Sequence, residues 1–210
     1  HVESLTAIEE GRRKASALTQ QILNFSRLNT AEEVRPVDLS DLVARTCKLL
    51  RGAISPEIGI EYRVPSEAVQ VMGVEGKLAQ VIINLVINAR DALAPGGVVD
   101  IRLDWCRDEN LLKELFGESL KSGHYVVLSI RDNGHGMTPE VLSRAFEPYF
   151  STKRDKGTGL GLSTVLTIVR GLEGAIDVHS QVDQGTRVDV YLPLIGETVL
   201  RSGSEAGAQE

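Results

Sequence analysis

The residues best suited to chemistry lie in a few separate stretches. In 77–93, KLAQVIINLVINARDAL, Lys77, Gln80, Asn84, Asn88 and Asp91 would share a helical arc of roughly 80° at about 100° per residue. Nearly every other position there is Leu, Val, Ile or Ala. Asparagine is a mediocre helix former, so two of them one turn apart in a buried helix call for a reason. Amide oxygens can bind Mg²⁺ beside phosphates and amide nitrogens can donate to phosphate oxygens, although bonds to neighbouring backbone would also satisfy them. In YVVLSIRDNGHGM, strand periodicity puts Val126, Leu128, Ile130 and Asp132 on one face, so a carboxylate continues the core side. A buried carboxylate needs hydrogen-bond donors, and an amine-bearing heterocycle such as adenine would supply them. Gly134 and Gly136 would let a flat ligand approach the backbone, while a plain Asp-Asn-Gly turn reads the same way.

Two further stretches follow. FEPYFSTK, 146–153, carries three aromatics suited to packing, then Lys153, which could swing toward a phosphate or remain a solvated lysine. GTGLGLS, 157–163, has Gly157, Gly159 and Gly161 directly before a helix-like run. Backbone N–H groups there, with those of the helix start, could form an anion site. The spacing is neither GxGxxG after a strand nor GxxxxGK[ST], which excludes the dinucleotide fingerprint and the P-loop.

The elements that must position these groups are legible in outline. Residues 4–29 place Ile8, Ala15 and Ile22 seven apart, with Leu18 and Phe25 three beyond Ala15 and Ile22, a heptad stripe that expects a second helix or chain. TAEEVRPVD reads as a linker because Pro36 cannot continue a helix, and Asp38 or Ser40 then caps LVARTCKLLRG. GIEYRV, AVQVMG, VVDIRLDW and YVVLSIRD read as strands. AIDVHS and TRVDVYLP pair across QVDQG as a closing hairpin. Residues 106–123 form a polar insertion with a short helical piece, ENLLKELF. The expectation is an α/β (α+β) domain, a two-layer sandwich with helices on one face of a mixed, mostly antiparallel sheet. Its divisions are a helix at 1–30, a linker at 31–38, the domain at 39–195 and a disordered tail at 196–210.

The 210 residues carry a net charge of -6, which argues against nucleic acid or an anionic membrane as partner. Cys47 and Cys106 form no CxxC, so neither a disulfide framework nor a thiolate metal site is suggested. The acidic start HVESLTAIEE excludes a signal peptide and no run reaches the length of a spanning helix, which gives a cytoplasmic expectation for this segment.

In order, NLVINARDAL, DNGHGM, FEPYFSTK, GTGLGLS and GTRVDVYLP resemble the N, G1, F and G2 boxes and closing hairpin of sensor histidine kinase catalytic domains, over residues 74–194. The wording is most similar to the nitrogen-regulation and hybrid-kinase branch. Residues 4–29 resemble the second helix of that family's dimerisation and phosphotransfer hairpin. The resemblance implies a Bergerat-type fold, ATP and Mg²⁺ as cofactors, and Asn88 as the metal ligand. It puts Asn84 and Lys153 near the phosphates and Asp132 on the adenine amine. Gly134 and Gly136 would line the base pocket, and a lid would span roughly Met137, itself a nucleotide-binding position, to Lys156. Gly157, Gly159 and Gly161 would flank the phosphates, with Thr158, Leu160 and Leu162 among them as nucleotide-binding positions. Asp91, Phe146 and Thr186 are carried over as further nucleotide positions. A response-regulator receiver domain and a homodimer through the hairpin are the implied partners.

No acceptor-histidine box is present: His1 precedes Val2 and Glu3, and His124, His135 and His179 fall in the ATP-binding half. The expectation is a kinase core without its own phosphoacceptor. In the family's hydrolysing relatives a glutamate one turn before the metal asparagine activates water. Here that place holds Asn84, and an amide is no general base. A GHKL-type ATPase and a nucleotide-binding docking module are the alternatives.

Overall fold

The computed structural model describes residues 33–117, 120, 124–152 and 159–195. The expected N-terminal helix and the C-terminal tail lie outside them. The order of elements is β1 (Arg35–Asp38), α1 (Leu39–Ala53), β2 (Gly59–Arg63), β3 (Gln70–Gly73), α2 (Glu75–Ala92), β4 (Val98–Cys106), α3 (Glu109–Phe116), β5 (Tyr125–Asp132), α4 (Pro139–Arg144), α5 (Gly161–Gly171), β6 (Ala175–Gln181) and β7 (Gly185–Pro193). Five strands form one sheet in the order β2-β4-β5-β7-β6, and β1 and β3 form a separate two-stranded ribbon. Only β2 and β4 run parallel within the large sheet, joined by a crossover that contains α2. The remaining pairs are antiparallel, as the expected mixed sheet requires.

Alternation along the strands decides which side is buried. Val99, Ile101 and Leu103 of β4 and Val126, Leu128 and Ile130 of β5 face α1, α2 and α5 in one core. Leu78, Ile82, Leu85 and Val86 of α2 fill that layer, each side chain contributing about 1.5–3 kcal/mol on burial. This fixes the rotation of α2 about its axis. It also decides where the asparagine arc must point.

Two features depart from the sequence reading. Arg35–Asp38 is not linker: it pairs antiparallel with β3, Arg35 opposite Gly73 and Asp38 opposite Gln70. Pro36 is tolerated because the two-stranded ribbon leaves its outer edge unpaired. Asp38 then caps α1, its Oδ1 accepting from Ser40 N at 3.0 Å and Asp41 N at 3.3 Å. Secondly, the helices do not all lie on one face. The insertion folds α3 onto the opposite side of the sheet, where Leu112 packs with Tyr125 and Tyr191 in a second small core. Burial, with the charges of Asp189 and Asp177, pushes the Tyr191 phenol up to about 12.

Candidate functional site

The carboxylate end of the site is built by strand register. Val99 lies opposite Asp132, Arg131 opposite Arg187, and Ser180 opposite Thr186, so Val99, Asp132, Thr186 and Ser180 form one row on the helix-facing side. Asp132 is 5 % exposed. Its Oδ1 accepts from Gly134 N at 2.8 Å and Thr186 N at 3.2 Å, and Oδ2 has no partner among the described residues. Burial raises the Asp132 pKa, while those two bonds and the nearby His135 oppose the rise. A buried carboxylate with one oxygen tied down and one free is an acceptor awaiting a donor.

The loop after Asp132 is held on several sides. Asn133 Oδ1 accepts from Val98 N at 2.9 Å. His135 N donates to Ala92 O at 3.1 Å, and Asp183 N donates to His135 O at 2.9 Å. Met137 N donates to Ser180 Oγ at 2.8 Å. Gly136 has φ +63 and a Cβ there would lie 1.9 Å from Gln181 O, while one on Gly134 would lie 2.4 Å from Ala92 O. These glycines pack backbone against backbone. The sequence reading gave them only the expected role of lining a base pocket.

The amide end lies along α2. Asn84 Nδ2 approaches Gly161 O at 3.4 Å, and a Cβ on Gly161 would meet Asn88 Nδ2 at 3.3 Å. Both asparagines are half-buried. They face the start of α5, whose N-cap residue Leu160 offers no side-chain hydrogen bond. The first N–H groups of α5 are thus left for an external acceptor. Gly159, with φ +67, is packed against Tyr149, whose N donates to Gly159 O at 3.0 Å. From Asn84 to Ala92, where the Asp132 loop docks, α2 measures about 12 Å. One helix therefore spaces a buried acceptor from a group of amide and backbone donors.

Not every expected residue joins these two ends. Asp91 is exposed and ion-paired with Arg90. Phe146 and Leu162 are half-buried; Leu162 packs on the main core, and Leu160 is 38 % exposed at the start of α5. Tyr149 is 79 % exposed rather than packed, with a positive φ of 65. Phe150 lies under the Arg144 guanidinium, 4.3 Å from ring centre to Cζ. Lys153, Gly157 and Thr158 fall outside the described residues, as does the last part of the expected lid. Ser180 was missed, although the hairpin register QVDQG implied its place opposite Thr186.

A nucleotide with a divalent cation fits the donor set. Among the described residues no three His, Cys, Asp or Glu side chains converge to hold a metal ion. A cation held here would take an amide oxygen and complete its shell with phosphate oxygens and water, which suits Mg²⁺. Residues 73–196 match the family model described as histidine kinase-, DNA gyrase B-, and HSP90-like ATPase. The chain belongs to that family. It is 34% identical over 206 residues to the sensor kinase CckA of Brucella abortus, covering 97% of this chain and 21% of that protein. It is 33% identical over 162 residues to the sensor histidine kinase ZraS of Klebsiella oxytoca, covering 77% of this chain and 32% of that one. The chain thus spans a third or less of these relatives. A solved mycobacterial sensor histidine kinase, MprB, superposes with a TM-score of 0.61 at 27% identity, covering 77% of this chain and 98% of MprB. Full-length ShkA in complex with AMPPNP superposes equally, with a TM-score of 0.61 at 26% identity over 91% of this chain and 38% of ShkA. The expected kinase-type catalytic domain and its α/β fold are borne out. Among the described residues no helix is long and apolar enough to cross a membrane.

Proposed function

We propose that this chain is the catalytic ATP-binding core of a two-component sensor histidine kinase. It passes the γ-phosphoryl of Mg-ATP to a histidine on a helical hairpin, and from there the group moves to an aspartate of a response-regulator receiver domain. The observation that carries this reading is the single helix α2 presenting Asn84 and Asn88 to the start of α5 while its end abuts the Asp132 loop. Asp132 Oδ2 accepts a hydrogen bond from the adenine amine. Asn88 Oδ1 holds Mg²⁺, which when bound neutralises charge between the phosphates. Asn84 and the free N–H groups of α5 bind phosphate oxygens, and Lys153 adds a positive charge.

What these residues do is position and neutralise, the work a loose phosphoryl-transfer transition state requires. Asn84 cannot take a proton from water, so the γ-phosphoryl is preserved for an imidazole. That distinguishes the reading from a GHKL-type ATPase. Residues 1–30 pair with a second copy in the working dimer, and the chain operates in the cytoplasm.

The test supplies the chain with γ-labelled ATP, Mg²⁺, a separately purified hairpin bearing a phosphoacceptor histidine, and a receiver domain. Acid-labile label on the hairpin that moves to the receiver is the expected result. Free phosphate alone would mean an ATPase, and no product at all a docking module.

A further inference from the structure

Ser180 lies on β6 in the same row as Asp132 and Thr186, and its hydroxyl touches three groups. Met137 N donates to Ser180 Oγ at 2.8 Å. Gly185 O lies 3.2 Å away and Thr186 Oγ1 2.9 Å away. A hydroxyl has one proton and two lone pairs, so these contacts constrain one another. Met137 takes one lone pair. Gly185 O is a pure acceptor and takes the proton. The second lone pair is then filled by the Thr186 proton, which is thereby held toward Ser180 on β6.

We propose that Ser180 is a positioning residue that sets the donor sense of Thr186, and through it the preference of the site for a 6-amino purine over a 6-oxo purine. The inference rests on the nucleotide-binding reading above. With its proton held by Ser180, Thr186 Oγ1 offers only lone pairs, in the same row as Asp132, whose Oδ1 accepts from Thr186 N at 3.2 Å and whose Oδ2 has no partner among the described residues. Two acceptors in one row match the two N–H groups of an exocyclic amine. A carbonyl oxygen in the same place meets two acceptors and no donor, and the unpaired groups reject it. Without the Ser180 hydroxyl, Met137 N loses its acceptor and the Thr186 proton is free to turn toward a carbonyl.

The experiment measures the affinities of wild type, Ser180→Ala and Ser180→Thr for ATP and for inosine triphosphate by calorimetry. Wild type is expected to prefer ATP, and Ser180→Ala to narrow that preference by about five- to tenfold, the worth of one hydrogen bond. Ser180→Thr retains the hydroxyl and retains the preference. Equal weakening of both nucleotides in Ser180→Ala, as a purely structural role gives, overturns the proposal, and so does no change in either. Should Ser180→Ala fail to fold, Thr186→Val removes the second acceptor and must narrow the preference likewise; an unchanged ratio there overturns the proposal too. Wild type that binds neither nucleotide is a different failure, which removes the nucleotide reading and this inference with it.

Discussion

At the end proposed to bind the base, Asp132, His135 and Met137 are tied by hydrogen bonds to β7, α2 and β6 respectively, all at 2.8–3.2 Å. At the end proposed to bind the phosphates, Asn84 makes one 3.4 Å contact, and the Asn88 side chain makes no hydrogen bond among the described residues. Both ends are served by the same helix. The difference is in what each must do: a base is read by fixed shape and fixed donors, which preorganisation improves at no later cost. Phosphates change charge and partners during transfer, so side chains with spare hydrogen-bonding capacity are useful there.

The largest effect should come from breaking the clamp itself. A methyl on Gly136 would sit 1.9 Å from Gln181 O, in backbone at φ +63, with Asp183 N bonded to the neighbouring carbonyl. Strain and overpacking together put the cost of Gly136→Ala at about 3 kcal/mol or more. Gly159→Ala has a similar φ of +67, but its obstacle is the backbone of exposed Tyr149, which can shift. About 1–2 kcal/mol is expected there. Urea unfolding of both variants is the measurement. Equal losses would mean that the two ends are held equally and the contrast is wrong.

The next effect concerns Asp132→Asn. The amide still accepts from Gly134 and Thr186, but it offers a donor where the adenine amine also donates. Loss of a charge-assisted hydrogen bond predicts ATP binding weaker by about 2 kcal/mol, roughly thirtyfold. Stability should move the other way. Burial holds the folded pKa of Asp132 above its ordinary 3.8, so its contribution to folding is fullest below the unfolded value. It is lost as pH rises through the raised folded value. Without nucleotide, Asp132→Asn should therefore be more stable than wild type at pH 7, the advantage shrinking as pH falls toward the ordinary aspartate range. Denaturant titrations at several pH values check the sign, and a less stable variant at neutral pH would mean that the carboxylate is not held against its desolvation.

Much of this was legible in the chain because periodicity carries it. The asparagine arc of α2 and the continuation of Val126, Leu128 and Ile130 into Asp132 needed only the periods 3.6 and 2. The family resemblance added which end is proposed to bind the base. What periodicity lacks is long-range pairing: β1 is four residues with a proline, and its partner β3 lies far along the chain. The helix α3 could be read from ENLLKELF, yet nothing local says that Leu112 would cover Tyr125 and Tyr191 on the far side of the sheet. The glycines show the same limit. GxG wording suggests ligand approach, whereas the carbonyls of Ala92 and Gln181 that forbid a side chain belong to other elements.

At the phosphate end, Asn88→Ala should remove chiefly the Mg²⁺-dependent part of binding, about tenfold with magnesium and little in chelator. Calorimetry in both conditions reads this directly. An equal loss without Mg²⁺ would make Asn88 a phosphate donor rather than a metal ligand, and the phosphate end would be organised by Asn84 and α5 alone.

The smallest effect tests the argument on which the clamp rests. If Gly136 is indispensable because of what a methyl would strike, a glycine with open space around it should accept one. Gly52, near the end of α1, has nothing within 4 Å of an added Cβ and no positive φ. Alanine there reduces the freedom of the unfolded chain and suits a helix, so Gly52→Ala should stabilise the domain by about 0.5 kcal/mol. With nothing within 4 Å of that Cβ, Asp132 and Asn88 included, ATP affinity should be unchanged. A loss of stability would show that glycine tolerance in this domain is not governed by the room around each Cα. The expected cost of Gly136→Ala would then need another source than Gln181.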